Sequence, residues 1–182
     1  MRYLHRTDES TVFEQWFLAE RYKMRVSAAE APFVDSEGDP WRRSIARQIA
    51  LWQNRYPLLA YLPPRIDWWR IELSQSDLPS LLLIFSSDWG HLCGGMGTVG
   101  EYVANGLPIP PTWQLPSPTD SIVLFGSPQG PFTILDGNHR IVRSEHRRDW
   151  RCDTLVYLGL SLSPCRWHRA NAFPPTPAHH SG

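Results

Sequence analysis

Residues 132–148 read Phe132-Thr133-Ile134-Leu135-Asp136-Gly137-Asn138-His139-Arg140, followed by Ile141-Val142-Arg143-Ser144-Glu145-His146-Arg147-Arg148. The apolar run is typical of a buried strand, Asp-Gly is a common turn pair, and the segment after it has the pattern of a helix. A strand that ends at Asp-Gly and continues as a helix leaves the first N–H groups of that helix without intrahelical partners. With the helix dipole, they favour an anion. The stretch predicts an anion site; its simplest alternative is a turn with solvated basic residues.

Several residues of this stretch are candidates for binding phosphate. Arg140 can donate two parallel hydrogen bonds to a phosphate, and His139 can donate a ring N–H. Gly137 allows the backbone to approach a ligand, and Asn138 adds N–H donors. Arg143 completes the predicted phosphate-binding set.

The sequence Ile-Leu-Asp-Gly-Asn-His-Arg resembles the Asp-Gly-x-His-Arg signature of the ParB/sulfiredoxin-like superfamily. Residues 69–78 are similar to the strand-then-helix opening of that domain, and residues 103–109 to its middle segment. The resemblance covers about residues 66–170 and implies a small α/β domain whose signature grips nucleotide phosphates. It does not fix one activity, because the superfamily includes nucleotide-hydrolysing partition proteins, sulfinic-acid reductases, free-amino-acid kinases and proposed nucleases.

This sequence differs from members of the superfamily in two ways, and each difference removes one of the activities that the resemblance would allow. Sulfiredoxins carry a cysteine at the variable position of the signature, where this chain has Asn138, so we do not expect thiol-based sulfinic acid reduction. Partition proteins append a helix-turn-helix domain, and we expect none here because the sequence after Arg140 is short.

The first functional hypothesis is a nucleotide-dependent, kinase-like phosphotransferase that acts on a small molecule, with ATP or another nucleotide and Mg²⁺ as cofactors. Resemblance to the free-serine kinases of the superfamily motivates it. Phosphoryl transfer needs phosphate positioning, charge neutralisation and a carboxylate for the acceptor. Asp136 could hold Mg²⁺ or orient His139, which joins it in the predicted catalytic set. Glu72 and Glu101 are candidate bases, although each can equally be a surface carboxylate.

Two alternatives stay open. One is a nucleotide-hydrolysing or nucleotide-sensing module, or a nuclease-like protein, built on the same signature. The other is an aromatic-rich, non-catalytic partner-binding protein. With 18 basic and 18 acidic residues the formal net charge is zero, so we do not expect nucleic acid as a partner. The oligomeric state is left open.

The predicted fold is α+β, a small mixed sheet with flanking helices in the ParB/sulfiredoxin-like manner, preceded by a helical extension. The predicted division is a helical N-terminal extension over residues 1–65, the main domain over 66–170 and a disordered tail over 171–182. No signal peptide or membrane span is evident, and three cysteines do not suggest a secreted disulfide scaffold, so we expect a cytoplasmic protein.

Two helices are predicted in the extension. The first has capping-box spacing at residues 11–14, and one face carries Phe13, Trp16, Phe17, Glu20 and Met24. The second starts at Asp39-Pro40 and ends near Pro57, with an apolar face formed by Trp41, Ile45, Ile49 and Trp52. Its arginine face, which carries Arg42, Arg43, Arg47 and Arg55, is predicted to be a solvated face or, alternatively, a surface for phosphate or an acidic partner.

In the main domain we expect strands at residues 68–73, 121–125, 132–135 and 153–158, and a short helix or turn at 77–79. Residues 81–85 form an apolar run that could be a strand or the end of a buried helix. Residues 94–100 predict a glycine-rich loop, and prolines between 108 and 118 predict an irregular connection.

Two further motifs compete with the signature. Residues 95–100 match G-x-G-x-x-G, but the prolines that follow argue against a dinucleotide-binding unit. A zinc site could use His91, Cys93, Cys165 and His168, although two short pairs so far apart are a weak pattern.

Overall fold

The computed structural model describes residues 1–21, 26, 31–34, 39–84, 97–109 and 121–163. Its strands are β1 (Arg2–Thr7), β2 (Asp67–Glu72), β3 (Ser121–Gly126), β4 (Phe132–Asp136) and β5 (Leu155–Leu160). Its helices are α1 (Glu9–Glu20), α2 (Ala31–Val34), α3 (Pro40–Leu59), α4 (Val99–Ala104) and α5 (Asn138–Arg147), with a 3₁₀ helix at Gln75–Ser80.

The strands form one five-stranded sheet in the order β1-β2-β5-β3-β4. β5 runs parallel to β3 and antiparallel to β2, while the β1–β2 and β3–β4 pairs are antiparallel. The sheet is therefore mixed, and helices flank it. This confirms the predicted α+β fold with a small mixed sheet.

The N-terminal segment differs from the helical extension that the sequence predicted, because it opens with a strand. β1 pairs with β2 along the edge of the sheet. Its side chains are exposed from Arg2 to Arg6, so it lacks the apolar alternation that signals a strand. Its backbone ladder with β2 holds it, and exposed ion pairs flank the ladder, with Arg2 bonded to Glu72 and Arg6 lying 3.8 Å from Asp67.

Helix α1 begins earlier than predicted. Asp8 is the N-cap, and its Oδ1 accepts a hydrogen bond from Thr11 N at 2.8 Å, so the predicted start at Thr11 is wrong. Asp8 is a better cap because its carboxylate also accepts from the Thr11 hydroxyl. The predicted inner face is confirmed from residue 13 to 20, with Trp16 and Glu20 buried. Met24 lies outside the described residues.

Helix α3 starts as predicted, but its faces are reversed. Asp39 accepts hydrogen bonds from the backbone N–H groups of Trp41 and Arg42, each at 3.1 Å. The predicted apolar face points outward, since Trp41 is 72% exposed. The face that contacts α1 instead carries Ala46, Ala50 and two arginines, Arg47 and Arg55, which pair with Glu14 and Glu20 of α1. Small residues allow close approach, and the α1 carboxylates make the inward arginines possible.

The apolar run after the 3₁₀ helix is extended. Leu82 N donates to Phe132 O and Ile134 N donates to Leu82 O, both at 2.9 Å, so Leu82 forms a bridge to the outer edge of β4. Of the two predicted possibilities, the extended one is therefore found in residues 81–84. β5 starts at Leu155, two residues later than predicted.

Several predictions fall on residues that the structure does not describe. They are the proposed zinc ligands His91, Cys93, Cys165 and His168, the first part of the glycine-rich loop, most of the proline-rich connection and the C-terminal tail. Across the described helices, none combines the length and apolar character that a membrane crossing requires.

Candidate functional site

The predicted strand–turn–helix is present, and its turn requires glycine. β4 ends at Asp136, Gly137 adopts φ 96° and ψ 13°, and α5 begins at Asn138. A Cβ at Gly137 would lie 2.2 Å from Cδ1 of Ile122 on β3. The turn therefore needs a left-handed backbone, and a side chain at this position would require the end of the Ile122 side chain to shift.

The first turn of α5 opens at this point. Its first backbone hydrogen bond runs from Ile141 N to Gly137 O at 3.0 Å. The amides of residues 138–140 precede this bond and so have no partner within the helix. The helix dipole places partial positive charge at the same end.

Asn138 is buried and ties this helix end to its neighbours. Its Oδ1 accepts from Ile84 N at 3.2 Å, and its Nδ2 donates to Ile134 O at 3.3 Å. The side chain thus satisfies two backbone groups in the interior. The carboxamide is therefore engaged in the interior, and its role as a phosphate donor stays a prediction.

Arg140 lies in a buried network of charges. Its Nη2 donates to Asp136 Oδ2 at 2.7 Å and lies 3.6 Å from Oε1 of Glu20. Glu20 is only 2% exposed, and its Oε2 accepts from Arg55 at 2.7 Å. Two arginines thus alternate with two carboxylates, which joins α1 and α3 to the β4–α5 turn. The carboxylates of Asp136 and Glu20 therefore hold Arg140 in place through its Nη2 atom.

His139 and Arg143 occupy the outer side of α5. His139 is exposed and Arg143 is half-buried. Residues four apart share one face of a helix, so the two side chains project in similar directions near the N-terminal end. The His139 ring and the Arg143 guanidinium therefore lie on the same side of α5.

The far end of α5 is also anchored. Glu145 is buried, and its carboxylate accepts from Gln75 Nε2 at 2.7 Å and pairs with Arg148 at 2.8 Å. Gln75 in turn accepts from Trp150 N at 2.9 Å. Both ends of α5 are therefore held against the body of the protein, which gives the signature turn a rigid base.

Glu72, one of the two predicted bases, lies away from this turn. It ends β2 and bonds to Arg2 of β1. In the sheet, β5 and β3 separate β2 from β4, so the strands that carry Glu72 and Asp136 lie about 14 Å apart. The structure does not bring Glu72 next to the signature.

Glu101, the other predicted base, caps helix α4. Its Oε2 accepts from Gly97 N at 3.0 Å, Thr98 N at 2.9 Å and the Thr98 hydroxyl at 3.1 Å. The hydrogen bonds from Thr98, with a further one from Gly97, lower the pKa of the Glu101 carboxyl. A lowered pKa weakens a general base, and the capping role accounts for the residue without catalysis.

Two residues of the charge network, Glu20 and Arg55, were not among the site residues predicted from the sequence. Glu20 and Arg55 lie far from the signature in the chain, but they meet it through the packing of α1 and α3. One signal for Glu20 was available, since it is the single charged residue on the apolar face of α1. A carboxylate at such a position requires a buried partner.

Comparison of the chain with family models, with curated proteins and with solved structures gives no match. Any assignment of function therefore rests on the residues and geometry described above.

Proposed function

We propose that this chain binds a nucleotide through its phosphates at the N-terminal end of α5 and transfers a phosphoryl group to a small molecule. One observation carries the proposal. The Gly137 turn presents the first-turn amides of α5 beside the Asp136–Arg140 pair, with His139 exposed next to them. Helix N-termini are favourable places for phosphate. The resemblance of the signature to nucleotide-binding relatives supports a nucleotide as the source of that phosphate.

In this proposal Arg140 is a positioning residue. Its Nη2 already contacts the carboxylates of Asp136 and Glu20, so its charge is largely balanced by protein groups. It orients Asp136 at the end of β4. Contact with phosphate falls instead to the backbone amides, to His139 and to Arg143.

Asp136 fits the role of a Mg²⁺ ligand only in part. Magnesium in nucleotide sites is commonly held by one or two protein carboxylates, with phosphates and water completing its shell. The described residues contain no group of three or more His, Cys, Asp or Glu side chains that could hold a metal. Asp136 would therefore bind Mg²⁺ together with the nucleotide, where the ion supplies neutralisation of phosphate charge.

Transfer itself asks little covalent chemistry of the protein, because positioning and charge neutralisation supply most of the catalysis in phosphoryl transfer. Glu72 lies three strands away from the signature and Glu101 is occupied as the cap of α4, so we assign no role to them in the reaction.

A thermal-shift screen of ATP, ADP and GTP with and without Mg²⁺ tests the binding step. A ligand that binds only the folded state stabilises it by about 2.7 kcal/mol at one hundred times its Kd. We expect the shift to disappear in His139→Ala and to weaken in Arg143→Ala. Arg147→Ala is the matched control, because Arg147 is an exposed arginine at the opposite end of α5.

Turnover is then followed by ³¹P NMR with the stabilising nucleotide, Mg²⁺ and pooled amino acids and small metabolites. A phosphorylated acceptor is the expected product. If inorganic phosphate is the only product, the protein hydrolyses the nucleotide and does not transfer its phosphoryl group. If the nucleotide binds without turnover, the protein is a sensing module. Absence of any nucleotide-dependent shift would refute the proposal.

A further inference from the structure

Arg70 is a half-buried charge in the middle of the sheet. It belongs to β2, and no carboxylate of the described residues lies within ion-pair distance of it. Burial lowers the pKa of Arg70, while the charge of Glu72, two positions along the strand, partly opposes that effect. The Glu72 carboxylate itself is bonded to Arg2. A guanidinium that is partly removed from water without a counter-charge is costly, so its surroundings need an explanation.

The hydrogen bonds of Arg70 use only part of its guanidinium. Nη1 donates to Ile71 O at 2.9 Å and to Val156 O at 3.1 Å, and both Nη1 and Nη2 donate to Thr154 O at 3.3 Å. An acceptor that the two Nη atoms share lies on the edge between them. The other edge, formed by Nε–H and the second Nη2–H, has no acceptor among the described residues. This edge can donate two parallel hydrogen bonds to the two oxygens of a carboxylate.

Tyr157 lies beside Arg70 on the neighbouring strand, β5. The two residues are directly opposed in the register of β2 and β5, and Cζ of Arg70 lies 5.7 Å from the centre of the Tyr157 ring. Tyr157 is only 6% exposed, and its hydroxyl makes no hydrogen bond to a described residue. Burial raises the pKa of Tyr157, so its hydroxyl keeps its proton at neutral pH. Arg70 and Tyr157 thus place unused donors side by side, although buried polar groups are normally paired.

His5 extends this row to the edge of the sheet. It is opposed to Arg70 in the register of β1 and β2, so the side chains of His5, Arg70 and Tyr157 stand on one face of three adjacent strands. Exposure falls along the row, since His5 is exposed, Arg70 half-buried and Tyr157 buried. A small ligand can therefore approach Arg70 from the β1 side.

The charge at this row matches a singly charged anion. The Glu72 carboxylate and the Arg2 guanidinium balance each other, which leaves the single positive charge of Arg70 for a ligand. A carboxylate has one negative charge and two coplanar oxygens that suit one guanidinium edge. A phosphate group carries about −1.5 to −2 and three acceptor oxygens, so it calls for more cationic groups than this row provides.

We propose that Arg70 and Tyr157 bind the carboxylate of a small organic acid. Nε and Nη2 of Arg70 donate to its two oxygens, and the Tyr157 hydroxyl donates to one of them. The carbonyl groups that accept from Nη1 fix the plane of the guanidinium, so the donor edge is set before the acid arrives. β5 and β3 separate β2 from the strand that ends at Asp136, so this is a second site and does not depend on the proposed phosphoryl transfer.

Nuclear magnetic resonance of the full chain tests the proposal through the Arg70 side chain itself. The ¹H–¹⁵N signals of arginine Nε–H groups are followed at mildly acidic pH while sodium acetate, lactate or succinate is added, with sodium chloride at equal ionic strength as the reference. The Arg70 signal, identified by its absence in Arg70→Lys, is expected to shift saturably with the acids and not with chloride.

Three variants locate the binding, which is followed through the backbone amide signals of β2 and β5. Arg70→Lys keeps the charge but removes the two-pronged edge, so the affinity should fall about tenfold. Tyr157→Phe keeps the ring beside the guanidinium and removes only the hydroxyl, so the affinity should fall about fivefold. Arg6→Lys is the matched control, because Arg6 also lies over an aromatic ring, that of Trp69 at 5.1 Å, but is 69% exposed. Its affinity should equal that of the wild type.

Circular dichroism shows whether each variant is folded, and Tyr157→Phe decides the matter if Arg70→Lys is not. The proposal is overturned if no acid produces a saturable shift, or if a folded Tyr157→Phe protein binds acetate as tightly as the wild type. Inorganic phosphate is titrated in parallel. Tighter binding of phosphate than of the three acids would assign the Arg70 edge to phosphate and would equally overturn the carboxylate site.

Discussion

Nη2 of Arg140 lies 2.7 Å from Oδ2 of Asp136, across the turn that joins β4 to α5. The side chains of the two residues are only 10% and 13% exposed. The bond therefore fixes the carboxylate at the end of the strand relative to the first turn of the helix. Any ligand at this helix end meets a preset arrangement of charge.

Gly137→Ala should destabilise the protein through two separate effects. The left-handed backbone costs a non-glycine residue about 1 kcal/mol, and the new Cβ would collide with Ile122 Cδ1 at 2.2 Å. We expect a total loss of about 3 kcal/mol in the free energy of unfolding, measured with urea.

Gly106→Ala separates the two effects. Gly106 has φ 64°, and nothing lies within 4 Å of the position its Cβ would take. The free energy of unfolding of the Gly106→Ala variant should therefore fall by only about 1 kcal/mol. Equal losses at the two positions would show that the collision with Ile122 is relieved at little cost.

Glu20→Gln should be more damaging than a typical charge removal. Glu20 is 2% exposed and contacts both Arg55 and Arg140, so neutralising it leaves two guanidinium groups without their shared carboxylate. We expect a loss of about 3 kcal/mol in urea denaturation. Glu14→Gln is the matched comparison, because the Glu14 side chain is 29% exposed and pairs with Arg47 between the same two helices. Its loss should be no more than about 1 kcal/mol.

Asn138→Leu should destabilise the helix entry, because it keeps the branched outline of the side chain but replaces its polar atoms with larger methyl groups. The substitution removes the acceptor for Ile84 N–H and the donor to Ile134 C=O, both in the interior. Each unsatisfied buried group costs about 1 to 3 kcal/mol. Hydrogen exchange of the Ile84 amide gives a local readout, and protection equal to wild type would contradict the assigned bond.

Asp8 should contribute pH-dependent stability to α1. The hydrogen bonds from Thr11 N and from the Thr11 hydroxyl lower the pKa of Asp8 below its ordinary value of 3.8. Because the folded pKa is the lower one, the stabilisation is present above pH 3.8 and is lost as the pH falls through the folded value.

The stability difference between wild type and Asp8→Asn should therefore shrink on acidification below pH 4. Asn is also a good N-cap, so this substitution keeps the helix intact and removes only the titrating carboxylate of Asp8. A difference that does not change between pH 7 and pH 3 would exclude the Asp8 carboxylate as the titrating group.

The parts of the fold that sequence predicted correctly are encoded locally. The turn at Gly137 follows from an apolar run, an Asp-Gly pair and a helical segment that are adjacent in the chain. The strands expected at residues 121–125 and 132–135 are found as β3 and β4, and their antiparallel pairing joins segments that are close in the chain. Neighbouring residues are sufficient to specify both features.

The orientation of α3 could not be predicted by the same means. Periodicity shows that Trp41, Ile49 and Trp52 share a face, but it does not show which face is inside. The partners of the opposite face, Glu14 and Glu20, belong to another helix. The direction of α3 is thus decided by pairing between distant segments, and hydropathy alone gives the wrong answer.

The candidate site shows the same division. The residues at the turn were found from their order, whereas the involvement of Glu20 depends on a contact across about two thirds of the chain. Glu72 and Glu101 were chosen for charge and position in sequence. Their observed partners, Arg2 and Thr98, give each a structural role that no local pattern at the signature would indicate.

The position of β5 has a consequence for the order in which the protein can be built. Among the described strands it is the last in the chain, yet it lies between β2 and β3 and hydrogen-bonds to both, so it joins the β1–β2 pair to the β3–β4 pair in one sheet. In a chain that ends before residue 155, the edges that β2 and β3 present to β5 have no partner strand. Such a truncated chain would expose two unpaired strand edges, which is the kind of surface that promotes aggregation.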